Sequence, residues 1–303
     1  MFVVKNRKIF FIFSGLLVAV SILLIFTRGL NVGIDFTGGT SLEIAYPMER
    51  PALSEVKQAI EDAGIEDVSV RPFGDHGFMF QMQSVATSTH HAIYDALITE
   101  DMTASTSPIM EDSNFIGPSI GAELRSKAWI AIVTVILGII LFIAYSFRHA
   151  SKKVSSWKYG IIAVIALAHD IIIPTGIASL LGVEVGSLFI IALLAILGLS
   201  VNDTIVVFDR VRENIQLKIS RDFKELVGKS LSQTFVRSIN TSITTLLMVV
   251  LLYFIGPATT KDFALILAVG LAIGTYSSIF LASPLLVEAE KIQRKQNLAK
   301  KQS

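Results

Sequence analysis

Six apolar stretches dominate the pattern along the chain. Residues 9–27, 128–147, 159–181, 186–208 and 263–287 each approach or exceed the roughly 20 residues that a helix needs to cross a ~30 Å hydrocarbon core. A weaker stretch, 237–255, has a clean apolar core only from Ile243 to Ile255, short enough for a re-entrant or interfacial segment. The long polar segment 28–127 reads differently. Thr40–Tyr46 has strand character and is followed by Pro47. A helical pattern starts at Pro51, with Leu53, Val56, Ala59 and Ile60 on one face, and stops at Gly64. VSVRPF and FMFQMQ alternate apolar and polar positions about a Gly-Asp-His-Gly turn, which predicts a hairpin. Residues 87–98 read as a second helix and 108–118 as a last strand or extended segment. The order β-α-β-β-α-β is that of a ferredoxin-like α+β fold, a small sheet with both helices on one face.

Charge decides the topology. Lys5, Arg7 and Lys8 precede the first stretch, and Arg148, Lys152, Lys153 and Lys158 separate the second from the third. Seven basic residues lie between 209 and 238, and five follow residue 288. Together these hold 19 of the 26 Lys and Arg, and the positive-inside rule places all four groups on the cytoplasmic side. A fifth stretch that failed to span would put the basic tail outside, so six spans with both termini cytoplasmic is the better reading. The first span is longer than a signal-peptide core and is expected to be retained. The expected domains are 1–27 (N-terminus and first span), 28–127 (extracytoplasmic), 128–287 (five spans, with a cytoplasmic loop at 209–236) and 288–303 (basic tail). Segment 28–127 carries 15 of the 25 acidic residues and only six Lys and Arg, which suits the far side of the membrane.

Composition agrees: 52% of residues are hydrophobic, 17% are charged, and the mean hydropathy is +0.63. A net charge of +1 argues against a nucleic-acid partner. The absence of cysteine excludes disulfides, thiolate chemistry and cysteine metal sites. His76, His90 and His91 with Asp95 suggest a metal site by residue type, but adjacent histidines on a helix point to different faces, so they read as solvent-exposed. Gly228-Lys229-Ser230 resembles the end of a phosphate loop, yet the glycine required five residues earlier is Phe223. With no nucleotide loop, His-Glu-x-x-His or Gly-x-Ser-x-Gly, neither an enzyme nor a cofactor is expected. Any work must be driven by an ion gradient or a partner.

The chemistry lies in polar groups that interrupt the apolar stretches. Asn202 and Asp203 fall in the fourth, with Asp203 about 7–8 Å inside its cytoplasmic end. Inserting Asp deep in a span costs about 2.5–3.5 kcal/mol, and such groups usually line a pathway or find a partner. Ser200, Asp203 and Val207 share a face. Asp209 lies near the water boundary beside Arg210 and reads as a surface charge. Arg237 opens the fifth stretch at a depth that could match Asp203, and Thr241, Thr244 and Met248 follow it at helical spacing. Arg237 is therefore either the partner of Asp203 or a residue snorkelling to the interface. His169 and Asp170 lie near the middle of the third span, as a second proton site or as a structural contact. Pro174 and Gly176 beyond them would loosen that helix. Gly270, Gly274 and Ser278 in the sixth span suit close helix packing. Protonation of Asp203 would release Arg237, tilt helices and move the outer domain.

GIDFTGGT (33–40), FIGPSIGAEL (115–124), ALAHD (166–170) and SVNDTIVVFDRVREN (200–214) resemble the signature segments of the SecF family within the resistance-nodulation-division superfamily. The resemblance covers nearly the whole chain. It implies six spans in the bacterial cytoplasmic (inner) membrane and a ferredoxin-like domain between the first two. It also implies pairing with a six-span SecD subunit, association with the SecYEG channel and YajC, and use of the proton gradient to help pull secretory polypeptides across the lipid bilayer. The family's intramembrane Asp and Arg match Asp203 and Arg237. Leu199 stands where a tyrosine is expected, and the second Asp expected from SecD is not in this chain. The rival readings are a self-contained proton-driven exporter of lipids or small molecules on the same superfamily plan, and a scaffold that would tolerate loss of Asp203 and Arg237.

Overall fold

The computed structural model describes residues 2–65, 67–83, 87–98, 107–148 and 155–302; Lys152 and Lys153 of the basic loop lie outside the described residues. A short helix α1 (Phe2–Lys5) leads into α2 (Arg7–Arg28). There follow β1 (Asn31–Val32), α3 (Ile34–Thr37), β2 (Gly39–Ala45), α4 (Leu53–Asp62), β3 (Val68–Phe73), β4 (Gly77–Met82), α5 (Thr87–Leu97) and β5 (Ile109–Ile116). Long helices α6 (Pro118–Ser146) and α7 (Ser156–Leu181) come next, then β6 (Glu184–Val185), α8 (Ser187–Gln216), α9 (Phe223–Ile255) and α10 (Ala258–Ser277). The last passes through a π-helical turn, Ser278–Ala282, into α11 (Ser283–Gln302). Among the described residues six helical stretches are long and apolar enough to cross a membrane: α2, α6, α7, α8, α9 and the run from α10 into α11.

The weak fifth stretch is thus one continuous helix. The segment 209–236, expected as a loop, is instead two helical extensions joined by a short turn at 217–222. Its polar periodicity is that of an amphipathic helix: Phe223, Leu226 and Val227 turn inward and pack with Phe208 and Val211. The Asp222 carboxylate caps α9 by accepting from the Lys224 N–H at 3.0 Å. Asn214 ties the two extensions together, donating to Ser230 Oγ and Gln233 Oε1 at 2.8 Å each.

Small residues decide which span is central. Gly160, Ala163, Ala166, Gly176 and Ala178 of α7 are buried, and 56% of its apolar window is covered by neighbouring helices. A Cβ on Gly176 would come within 2.6 Å of Ser21 Cα on α2. Helices α2, α6 and α9 are peripheral, with 11%, 6% and 11% of their windows buried within the chain. Despite Pro174, α7 runs unbroken from Ser156 to Leu181.

The small region between α2 and α6 contains an antiparallel sheet in the order β3-β4-β2-β5, with α4 and α5 in the β-α-β-β-α-β sequence. Its core is Leu42, Ile44, Val56, Ile60, Val70, Phe78, Phe80 and Ile93, so the predicted inner face of α4 is the buried one. A separate parallel pairing of β1 with β6 joins this region to the α7–α8 connection.

The Gly38-Gly39 pair makes the junction to the membrane helices. Their φ angles are +73° and +128°, conformations that favour glycine. A Cβ on Gly38 would sit 2.7 Å from Pro118 Cα, and one on Gly39 would run into the Met82 carbonyl oxygen. Gly121 of α6 completes the approach, because a Cβ there would lie 2.8 Å from the Gly38 nitrogen.

Two expectations follow. Gly39→Ala combines backbone strain with a clash and should destabilise the folded chain by about 1–3 kcal/mol, whereas Gly138→Ala in α6, where a Cβ meets open space, should not. Heating each variant in mild detergent and measuring the fraction that remains monodisperse checks this. On β2, burial together with Glu111 and Asp112 on β5 pushes the Glu43 carboxyl up to about 6. The protonated form is favoured in the folded state, so that stabilisation is full below the ordinary value near 4.5 and lost as pH rises through about 6. Glu43→Gln should remove this component from the pH dependence of melting over that window.

Candidate functional site

The carboxylate of Asp170 lies at the centre of the helical bundle and is fully buried. Its Oδ2 accepts from Ser200 Oγ at 2.5 Å and from Ser277 Oγ at 2.7 Å, and its Oδ1 is 2.9 Å from His169 Nδ1. One carboxylate therefore binds α7, α8 and α10 together. The network continues one turn on, where Thr204 and Ser278 hydroxyls are 2.9 Å apart and Ser278 donates to the Ser200 carbonyl at 3.3 Å. Ser278 opens the π-helical turn, and such turns often accompany functional sites. The His169 ring stacks on Tyr276 at 6.1 Å, and the Tyr276 hydroxyl is 3.2 Å from Ser14 of α2. His169 Nε2 is buried without a hydrogen-bond partner among the described residues.

Asp203 occupies a different position, at the margin of the bundle. It is 9% exposed and lines a crevice between α8, α9 and α10 with Ser200, Asn202, Thr241, Ser242, Thr245, Gly274 and Thr275. Ser242 Oγ donates to Asp203 Oδ2 at 3.1 Å, and Thr275 Oγ1 donates to Ser242 Oγ at 2.7 Å. Asn202 and Thr241 at the rim are exposed. The predicted small-residue stripe makes this crevice possible: Gly270 and Gly274 let α10 approach Ile196 and Ser200 of α8, with a Cβ on Gly274 only 3.0 Å from that of Ser200.

Arg237 is exposed on α9 and forms no ion pair with Asp203 among the described residues; the group that reaches Asp203 is Ser242, five residues later. Asp209 pairs with Arg212 at 2.5 Å on an exposed face. Among the described residues no cluster of His, Asp and Glu has the arrangement of a metal site. Sequence reasoning missed Ser242, Thr275 and Ser277. The signal was present, since SINTSITT and GTYSS concentrate hydroxyls within apolar helices. Which of those hydroxyls face inward is set by helix rotation, which the fifth span's weak apolar periodicity does not reveal.

The family described as protein export membrane protein SecD/SecF, C-terminal, matches residues 97–292, and the SecD/SecF GG motif matches residues 23–46. The protein translocase subunit SecF of Thermobaculum terrenum is 37% identical, over 95% of this chain and 93% of its own length. That of Escherichia coli O157:H7 is 36% identical, over 91% of this chain and 83% of its own. Among solved structures, the translocon-associated membrane protein SecDF of Thermus thermophilus is similar with a TM-score of 0.83 and 32% identity, over 95% of this chain. This chain spans 38% of that SecDF. With two signature regions matched and curated relatives covered almost end to end, the chain belongs to the SecD/SecF family of protein export membrane proteins, as a multi-pass member of the SecF type.

Proposed function

We propose that the chain is one half of a protein-export motor, in which protonation of Asp203 drives a helix movement that promotes passage of secretory polypeptides. The observation that carries this is the position of Asp203, in a polar crevice at the edge of the bundle rather than in its centre. Intramembrane carboxylates line pathways or meet partners. Among the described residues Asp203 accepts from one serine hydroxyl, and Asn202 and Thr241, both exposed, line its crevice on α8 and α9. A face with so many polar groups is costly against lipid, which supports its being covered in the membrane. The 38% share of the SecDF chain supports a SecD-type half as the cover.

On this reading Arg237 is the switch partner. The observed arrangement, in which Asp203 accepts from Ser242 and exposed Arg237 makes no ion pair with it among the described residues, is on this reading the released state of the switch. Loss of the proton would restore a charge that draws Arg237 inward and shifts α9 against α8. Asp170 and His169 form the second candidate proton site, joined to the crevice through Ser200, which both donates to Asp170 and lines the crevice. The sheet order supports a ferredoxin-like reading of the small region, placed outside the cytoplasm, with both termini inside at the inner membrane. SecYEG, YajC and the moving polypeptide are the proposed partners of the assembled complex. The role is transport rather than catalysis.

Asp203→Asn should leave the amount of chain and its partner association unchanged while lowering proton-driven export by about a hundredfold, the scale of a positioned proton-transfer group. Export assayed in inverted vesicles with an imposed pH gradient checks this, and undiminished export would refute the proton reading. Asp170→Asn should behave differently. It replaces one carboxylate oxygen by a donor in a fully buried network and should lower stability by about 1–3 kcal/mol, seen first as reduced chain in the membrane.

A further inference from the structure

The small region is attached to the membrane helices at its two opposite sheet edges, by different chemistry. At the β5 edge the chain runs directly into α6, and Gly38 and Gly121 bring the backbones into contact. At the β3 edge the contacts are ionic. The Arg71 guanidinium pairs with Glu184 of β6, and its second terminal nitrogen lies 3.2 Å from Asp262 of α10. Lys261 Nζ donates to Asp75, in the β3–β4 turn, at 3.1 Å. Arg71, Glu184, Lys261 and Asp262 border a cavity of about 290 Å³, which Asp35 and Tyr253 also line. One attachment is close-packed, and the other is polar and partly hollow. Contacts of the second kind resemble interfaces between domains that move.

The two elements that Arg71 holds are not arbitrary. β6 runs straight into α8, whose Ser187 N–H donates to Asp35 Oδ2 at 2.6 Å. Asp262 lies in the second turn of α10. Helix α8 carries Ser200 and Asp203, and α10 carries Thr275 and Ser277. A single side chain of the small region therefore holds the outer end of α10 directly and that of α8 through β6, the strand that leads into it. Burial pushes the Glu184 carboxyl up from its ordinary value while Arg71 opposes that shift, so losing Arg71 would leave Glu184 a largely buried carboxyl without its main cation.

We propose that Arg71 is a positioning residue for export: its pairs with Glu184 and Asp262 form a latch that couples the small region to α8 and α10 and opens as that region pivots about the β5–α6 junction. The latch takes its drive from the proton-linked movement proposed above, so it rests on that reading.

The chain has no cysteine, so Asp75→Cys with Lys261→Cys gives a single addressable pair, on side chains 80% and 31% exposed. In the full chain assembled with its partner in membranes, the pair is bridged by a short bismethanethiosulfonate reagent. The bridged complex should stop exporting and recover when the bridge is reduced. Arg71→Ala should slow bridging by about fivefold or more, the low end of usual coupling strengths, and Arg71→Lys should largely restore it. Export that continues unchanged through the bridge, or bridging that is indifferent to Arg71, would overturn the latch. Should Arg71→Ala fail to assemble, the Arg71→Lys rate and the reversible bridge decide between the same two outcomes. Full export by Asp203→Asn sinks the proton reading alone, because the bridge reports on the latch whatever drives it.

Discussion

A carboxylate at the centre of an apolar bundle must find its hydrogen bonds from protein, and Asp170 finds all of them from neighbouring side chains. That requirement fixes much of the rest. Ser200 and Ser277 must face α7, which sets the rotation of α8 and α10 about their axes. With Ser200 turned inward, Asp203 three residues later is turned by about 60° around α8 and so meets the seam with α9. The His169 ring is held by the same carboxylate and then stacks on Tyr276.

The two acidic residues consequently do different things although both interrupt apolar helices. Asp170 has its partners within the chain and is fully buried. Asp203 has a single hydroxyl donor among the described residues and lies at a rim with exposed Asn202 and Thr241. A site only half enclosed by its own chain is what a half-unit of a larger membrane assembly would present. The peripheral helices say the same, since α6 and α9 bury little of their surface within this chain.

Much of the fold was legible because lipid and water impose strong patterns. Span length, basic flanks and the period-2 and period-3.6 segments of residues 28–127 located every long helix and each strand of the four-stranded sheet. The charged stretch 209–236 was not legible as helix, since its stability comes from Phe223, Leu226 and Val227 packing on α8 rather than from lipid. The two-residue pairing of β1 with β6 was also invisible, because Asn31-Val32 and Glu184-Val185 meet only across about 150 residues of intervening chain.

Sequence by itself determined that six helices are long and apolar enough to cross a membrane, that a small region with a four-stranded sheet is inserted after the first, and that Asp203 and Asp170 are the carboxylates within them needing explanation. Those conclusions need only the cost of polar groups in hydrocarbon, which acts residue by residue. The partners of the carboxylates were decided by tertiary structure alone. Ser242 rather than Arg237 reaches Asp203, and Ser277 completes Asp170, because Gly270 and Gly274 let α10 approach α8 closely enough to bring those hydroxyls in. The same holds for Arg71: a basic residue on a short strand becomes a link to β6 and α10 only once the sheet is docked on them. Hydrogen bonds and ion pairs act over about 3–4 Å, and no linear pattern specifies which distant residues come within that range.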